Sequence, residues 1–266
     1  MTSIVNIPQP GDTSLDVGIM QAALNAKGYN LKEDNYFGPV TRAAVSLFQK
    51  SVGLVGTGVP GEKTIAALGL ARAITRDVIA SEICNVIWID INSKLREIPG
   101  KKNRSPRIDS FNRRALSYMG APYCASGGWC AIDDACSKLG LVNPVPPTAS
   151  SQAFRKASFV PAKYIRADGE LGKKGDVAVL QSVGNPGQGH YTTLGADQKE
   201  QHLTFPTLEY NTDGSGSRDG DGAYAMTRSI VDRSKANSGK IFVCFTDIPQ
   251  WILDHNQSLV QGVSQK

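Results

Sequence analysis

The chain is poor in the residues that staple or anchor a fold. Its 266 residues include five cysteines, three histidines and three tryptophans, and aromatics make up 7% of the whole. An odd, low cysteine count in a chain of this length excludes a disulfide scaffold. The most apolar stretch, Ile83–Ile91, is interrupted by Asn85 and Asp90 and falls short of the ~20 residues a membrane span needs. The opening residues, Met1 to Pro8, have no basic segment and no long apolar run, so no secretory signal is expected. The expectation is synthesis in the cytoplasm with reduced thiols, and no membrane insertion.

What is there describes a globular chain. Hydrophobic residues are 41% and charged residues 20%, which leaves no disordered or fibrous class. The length suggests roughly two domains at about 150 residues each. The net charge of +5 is unevenly placed. Residues 1–70 balance five basic against five acidic side chains, so residues 71–266 carry the whole excess.

The first seventy residues have helical periodicity. Val17, Met20, Gln21 and Leu24 fall on one helix face, with Asp16 as a candidate N-cap and Gly28 as a stop. Ala44, Val45, Leu47 and Phe48 repeat the pattern. Gly38 and Thr41, then Gly61 and Thr64, form an internal Gly-x-x-Thr repeat, each before an apolar helical run, in which the threonine can cap the helix. A three-helix bundle is expected over 1–70.

Over residues 12–70 the sequence resembles the peptidoglycan-binding domain 1 family. The resemblance rests on Val17, Met20, Gln21, Leu24, Gly28, Tyr29, Tyr36, Phe37, Gly38, Thr41, Ala44, Val45, Phe48, Gln49, Gly53, Leu54, Gly58, Gly61, Thr64 and Leu68 in order. It departs at Asp34 and Asn35, where the family often has Asp-Gly. The resemblance implies a cell-wall anchor with peptidoglycan as partner. A binding face would involve Tyr36, Arg42 or Gln49.

Residues 71–96 read as a helical connector ending before Pro99 and Gly100. Lys94–Arg114 then holds eight basic residues against Glu97 and Asp109. Such a run attracts anionic polymers, but it lacks the interleaved aromatics that stack bases. No nucleic-acid partner is expected, and a solvated basic face is the favoured reading.

The chemistry is concentrated between 121 and 211. Residues 121–140 read as a helix, with Pro122 in its first turn and Gly140 at its end. At ~100° per residue, Cys130 points about 240° and Cys136 about 120° away from Cys124, so the three thiols cannot share a metal. Cys124 sits in the first turn, where free amides and the helix dipole favour a thiolate. Gly127 and Gly128 could delay the helix start and bring Cys130 to that position instead.

Strands are expected at Val177–Leu180, His190–Leu194, Leu203–Tyr210 and Ile241–Phe245. His202 lies in a polar turn and His255 near the C-terminus, whereas His190 opens an apolar strand after a glycine that leaves room for a substrate or thiol. Glu209 and Asn211, two apart on a strand, should face one side. Either can orient the imidazole, and the other can help hold an oxyanion. Cysteine, histidine and an orienting polar group form the nucleophilic set of thiol acyl-transfer enzymes.

Over about 90–248 this half resembles the CHAP family of papain-like amidase and peptidase domains. The matching residues are Glu97 to Gly100, Arg107, Ile108, Phe111, Gly120 to Ala125, Lys174 to Val179, Gly189, His190, and Glu209 to Thr212. The departure is Gly127 and Gly128, where the family usually has bulky apolar residues. The resemblance implies Cys124 as nucleophile, His190 as base, and Glu209 and Asn211 as the orienting pair, with no cofactor and no metal.

Asn211, Asp213, Ser215 and Gly216 open like a calcium loop, but Gly222 stands where the twelfth-position glutamate belongs. The full expectation is an α+β chain: a three-helix bundle (1–70), a helical connector (71–96), a papain-like CHAP domain with an antiparallel sheet packed on helices (97–250), and a tail (251–266). Together the two resemblances imply a monomeric phage endolysin that cuts the peptide part of peptidoglycan. A bacterial cell-wall amidase toxin and a non-catalytic wall-binding protein are the alternatives.

Overall fold

The computed structural model describes residues 3–200, 202–214 and 220–263. Its contacts divide the chain into two compact units, Met1–Val78 and Ile79–Lys266. Among the described residues no helix is long and apolar enough to cross a membrane.

The first unit holds strand β1 (Ser3–Ile4), helices α1 (Leu15–Asn25), α2 (Pro39–Ser51) and α3 (Glu62–Ala67), and strand β2 (Ala71–Arg72), which pairs in parallel with β1. Val17, Met20, Leu24, Phe37, Val45, Phe48 and Ile65 form its core. The apolar spacing of α1 and α2 puts these side chains on inner faces.

Several local expectations are corrected. Ser14, not Asp16, caps α1 by accepting from the Val17 amide, and Asp16 instead accepts from the amides of Val5 and Asn6. In the Gly-x-x-Thr repeat the glycine is the N-cap of each helix, and at the second repeat the expected threonine cap is present, since Thr64 Oγ1 accepts from the Gly61 amide at 3.4 Å. The threonine lies three residues in and receives a buried glutamine amide: Gln21 Nε2 donates to Thr41 Oγ1, and Gln49 Nε2 to Thr64 Oγ1, both at 3.1 Å. Gln49 is therefore a buried tie within the fold and not part of an outer face. Tyr36 and Arg42 are exposed. Asn35, standing where glycine is usual, has φ 62°, which asparagine tolerates better than most residues.

The stretch 71–96, expected as one helix, is β2 followed by helix α4 (Arg76–Asn92). From Ile79 onward it belongs to the second unit. That unit continues with α5 (Pro106–Arg114), α6 (Cys124–Leu139), two short 3₁₀ turns, strands β3 (Val177–Ser182), β4 (Asn185–Leu194), β5 (Thr204–Thr212), β6 (Gly222–Ser229) and β7 (Ile241–Thr246), and α7 (Ile248–Val263). The five strands form one antiparallel sheet in the order β6-β5-β4-β3-β7. Helix α6 packs on β4 and β5. An aromatic cluster of Phe205, Phe242 and Phe245, with centroids 4.8–6.1 Å apart, adds to the sheet core.

The architecture is thus mixed α and β with an antiparallel sheet. Residues 251–263, expected as a tail, continue α7. Four of the eight basic residues in the run from Lys94 have named partners. Arg104 bonds Asp109, Arg107 bonds Asp90 and Asp134, Arg114 bonds Asp133 and Asp134, and Arg96 lies over the Tyr224 ring.

Candidate active site

Helix α6 begins at Cys124 itself, with Tyr123 as N-cap, so Pro122 precedes the helix and does not start it. The double glycine lies inside α6. An added Cβ at Gly128 would stand 2.0 Å from Cε1 of Tyr191, and at Gly127 2.7 Å from the Tyr210 ring. Bulkier residues are excluded because the helix rests directly on two tyrosines of the sheet. The helix start is not delayed, and Cys124 holds the N-terminal position.

Cys124 is 6% exposed and His190 fully buried. Burial pushes the Cys124 thiol up, but hydrogen bonding and charge from His190, with help from the amides of Tyr191 and Ala125, outweigh it and hold the thiol below its ordinary range. The reciprocal balance holds His190 above the ordinary imidazole range: burial opposes its charge, and Cys124 and Glu209 more than compensate. His190 Nε2 lies 2.8 Å from Glu209 Oε2. With that carboxylate ionised, Nε2 carries the donated proton. With Nε2 engaged by Glu209, Nδ1 is the nitrogen left to take a proton.

Cys130 and Cys136 lie elsewhere. Cys130 Sγ points at the Phe111 carbonyl at 3.8 Å, and burial pushes both thiols up to about 12. His202 follows β4 in a loop, and His255 sits in α7.

Glu209 and Asn211 do not share a face as the two-residue period suggests. The β5–β6 register shifts between Tyr210 and Thr212, and Asn211 adopts φ 57°. This bulge breaks the alternation, so Glu209 alone bonds His190. Asn211 is fully buried, and both its amide atoms lack hydrogen-bond partners.

Two further residues hold Glu209: Arg228 grips it through Nε–Oε1 (2.7 Å) and Nη2–Oε2 (2.5 Å), and Thr207 Oγ1 donates to Oε1 at 2.5 Å. Burial alone would raise Glu209, but Arg228 and His190 bring it down to about 2. Neither partner is legible in the sequence. Arg228 sits on β6, a strand whose small and polar residues gave no alternation to find.

Gly189 makes room for its neighbours in the sheet as well as lining the cavity over Cys124. A Cβ there would lie 1.9 Å from the Leu180 carbonyl and 2.1 Å from Gln152 Nε2. A cavity of about 190 Å³ opens over Cys124, lined by Ser117, Tyr118, Ala121, Pro122, Ala149 to Ser151 and Gly187 to Gly189. A larger one of about 290 Å³, between Arg166 and Phe245, contains none of the four residues. Among the described residues no cluster of His, Cys, Asp and Glu could hold a metal. Of the calcium-like loop, residues 215–219 lie outside the described residues.

Comparison with known proteins adds one domain. Residues 13–68 match the family described as "Putative peptidoglycan binding domain". No curated protein matches the chain. Among solved structures, the chain is similar to one titled "Crystal structure of Burkholderia AP3 phage endolysin", at 23% identity and a TM-score of 0.25. That match covers 50% of this chain and 63% of the endolysin's length.

Proposed function

We propose that this chain is a peptidoglycan hydrolase of the endolysin type, in which the first unit holds the cell wall and the second, a papain-like CHAP domain, cuts an amide or peptide bond of the wall peptide. The single observation that carries the reading is a helix-terminal thiol coupled to an imidazole that a buried carboxylate orients. The match over residues 13–68 supports peptidoglycan as the polymer held.

In this mechanism His190 takes the Cys124 proton at Nδ1, and the imidazolium–thiolate pair is stabilised by Glu209. The thiolate attacks the carbonyl carbon of a wall amide lying in the cavity over Cys124. The tetrahedral oxyanion is met by amides at the start of α6. The imidazolium protonates the leaving amine, and a thioester remains. Water, deprotonated by the same imidazole, releases the acid and restores the thiol. Glu209 takes the orienting role. No step requires a cofactor or metal. The chain acts as a monomer at the peptidoglycan, with neither nucleic acid nor membrane as partner.

The test is turbidity loss of purified wall. Cys124→Ser and His190→Ala should each abolish clearing while the protein still sediments with the wall. Clearing by Cys124→Ser at the native rate would refute the reading.

A further inference from the structure

From the buried chain that runs through Cys124, His190, Glu209 and Arg228, we infer that Arg228 is a positioning residue of the candidate active site: it locks the carboxylate that orients His190, and it supplies the charge that leaves the thiolate form of the buried group neutral. The inference rests on the thiol-hydrolase reading above.

The geometry is specific. Arg228 is fully buried, and its guanidinium bonds the Glu209 carboxylate and, through Nη1, the Ala236 carbonyl at 2.9 Å. A two-point fork fixes the plane of the Glu209 carboxylate as well as its position. Oε2, the oxygen facing His190, is one of the two atoms in the fork. Thr207 takes the other side of Oε1. Glu209 therefore has no freedom to follow the ring, and the imidazole must sit where the carboxylate is held.

The electrostatic part follows from counting. The reactive form has a negative Cys124 on α6, a positive His190 on β4, a negative Glu209 on β5 and a positive Arg228 on β6. These sum to zero. Among the described residues the Tyr191 phenol also feels Cys124, and burial holds it protonated and neutral. Without Arg228, forming the thiolate would leave a net negative charge in a buried cluster, which is costly. Removing a nearby cation also raises the pKa of every acid that feels it. Both effects push thiolate formation to higher pH.

The experiment uses the full chain and follows alkylation of Cys124 by iodoacetamide against pH, reading the modified peptide by mass spectrometry. This needs no substrate. In the native protein Cys124 should react with an acid midpoint below the ordinary thiol range. In Arg228→Met the midpoint should rise by about 1 unit or more, the size expected for loss of an opposite charge at close range. Arg228→Lys keeps the charge without the fork. Its midpoint should stay near the native one, while clearing at saturating wall falls about tenfold with the half-saturating wall concentration unchanged.

An Arg228→Met protein with native circular dichroism and an unshifted midpoint overturns the inference and leaves the hydrolase reading standing. If Arg228→Met does not fold, Arg228→Lys decides: native clearing would show that the fork positions nothing. A native Cys124 that reacts no faster than Cys130 overturns both readings together.

Discussion

Cys124 gains its character from position as much as from chemistry. Five cysteines are free, and three lie in α6, yet only the one at the helix start meets His190. Cys130→Ser should clear wall at the native rate, because its thiol faces a carbonyl and resists ionisation. The thiol of Cys124 is held low and the imidazole of His190 high, so the ion pair spans the pH range between them. Hydrolysis should rise with pH as the pair forms and fall as the imidazolium loses its proton, giving a bell whose limbs belong to the pair. Glu209 gives a separate stability signal. Its pKa is depressed, so its contribution is complete above the unfolded value of about 4.3 and is lost as pH falls through about 2. Acid unfolding followed by circular dichroism should show this limb, and a native limb in Glu209→Gln would contradict the assignment. At this scale the sequence points to Cys124, His190 and Glu209 because their types and order carry the chemistry. It does not point to Arg228 or Thr207, whose role exists only once two strands lie side by side.

At the scale of elements, legibility follows periodicity. Helix α6 is legible from Pro122 near its start and from its terminal Gly140, which takes φ 68° as a left-handed cap. β3 and the apolar half of β4 were readable as β-branched runs. Strand β6 was not: it alternates weakly and follows a glycine-rich stretch. The bulge at Asn211 was invisible because strict alternation is the default assumption for a strand. The double glycine of α6 was read as a possible late helix start, whereas its cause lies across the interface in Tyr191 and Tyr210. That makes it a packing test. Gly128→Ala should cost about 1–3 kcal/mol through overpacking, and thermal unfolding should show the loss. An unchanged melting temperature would mean that α6 does not rest on Tyr191 as closely as the 2.0 Å approach implies.

For the whole molecule, the division of labour is the central question. The first unit is a small apolar core with glutamine–threonine ties, and Phe37 lies fully inside it. Phe37→Ala should destabilise this unit by about 3–5 kcal/mol, seen as lost sedimentation with purified wall. The second unit carries the thiol, the imidazole and their supports within one sheet and one helix. The most direct measurement is mass spectrometry of wall fragments after digestion by the native chain and by Cys124→Ser, each also tested for sedimentation with the wall. The account expects the native chain to release fragments with a newly freed amine and carboxyl in the wall peptide. The serine variant should release none while binding as before. Equal fragment release from both proteins would contradict the account.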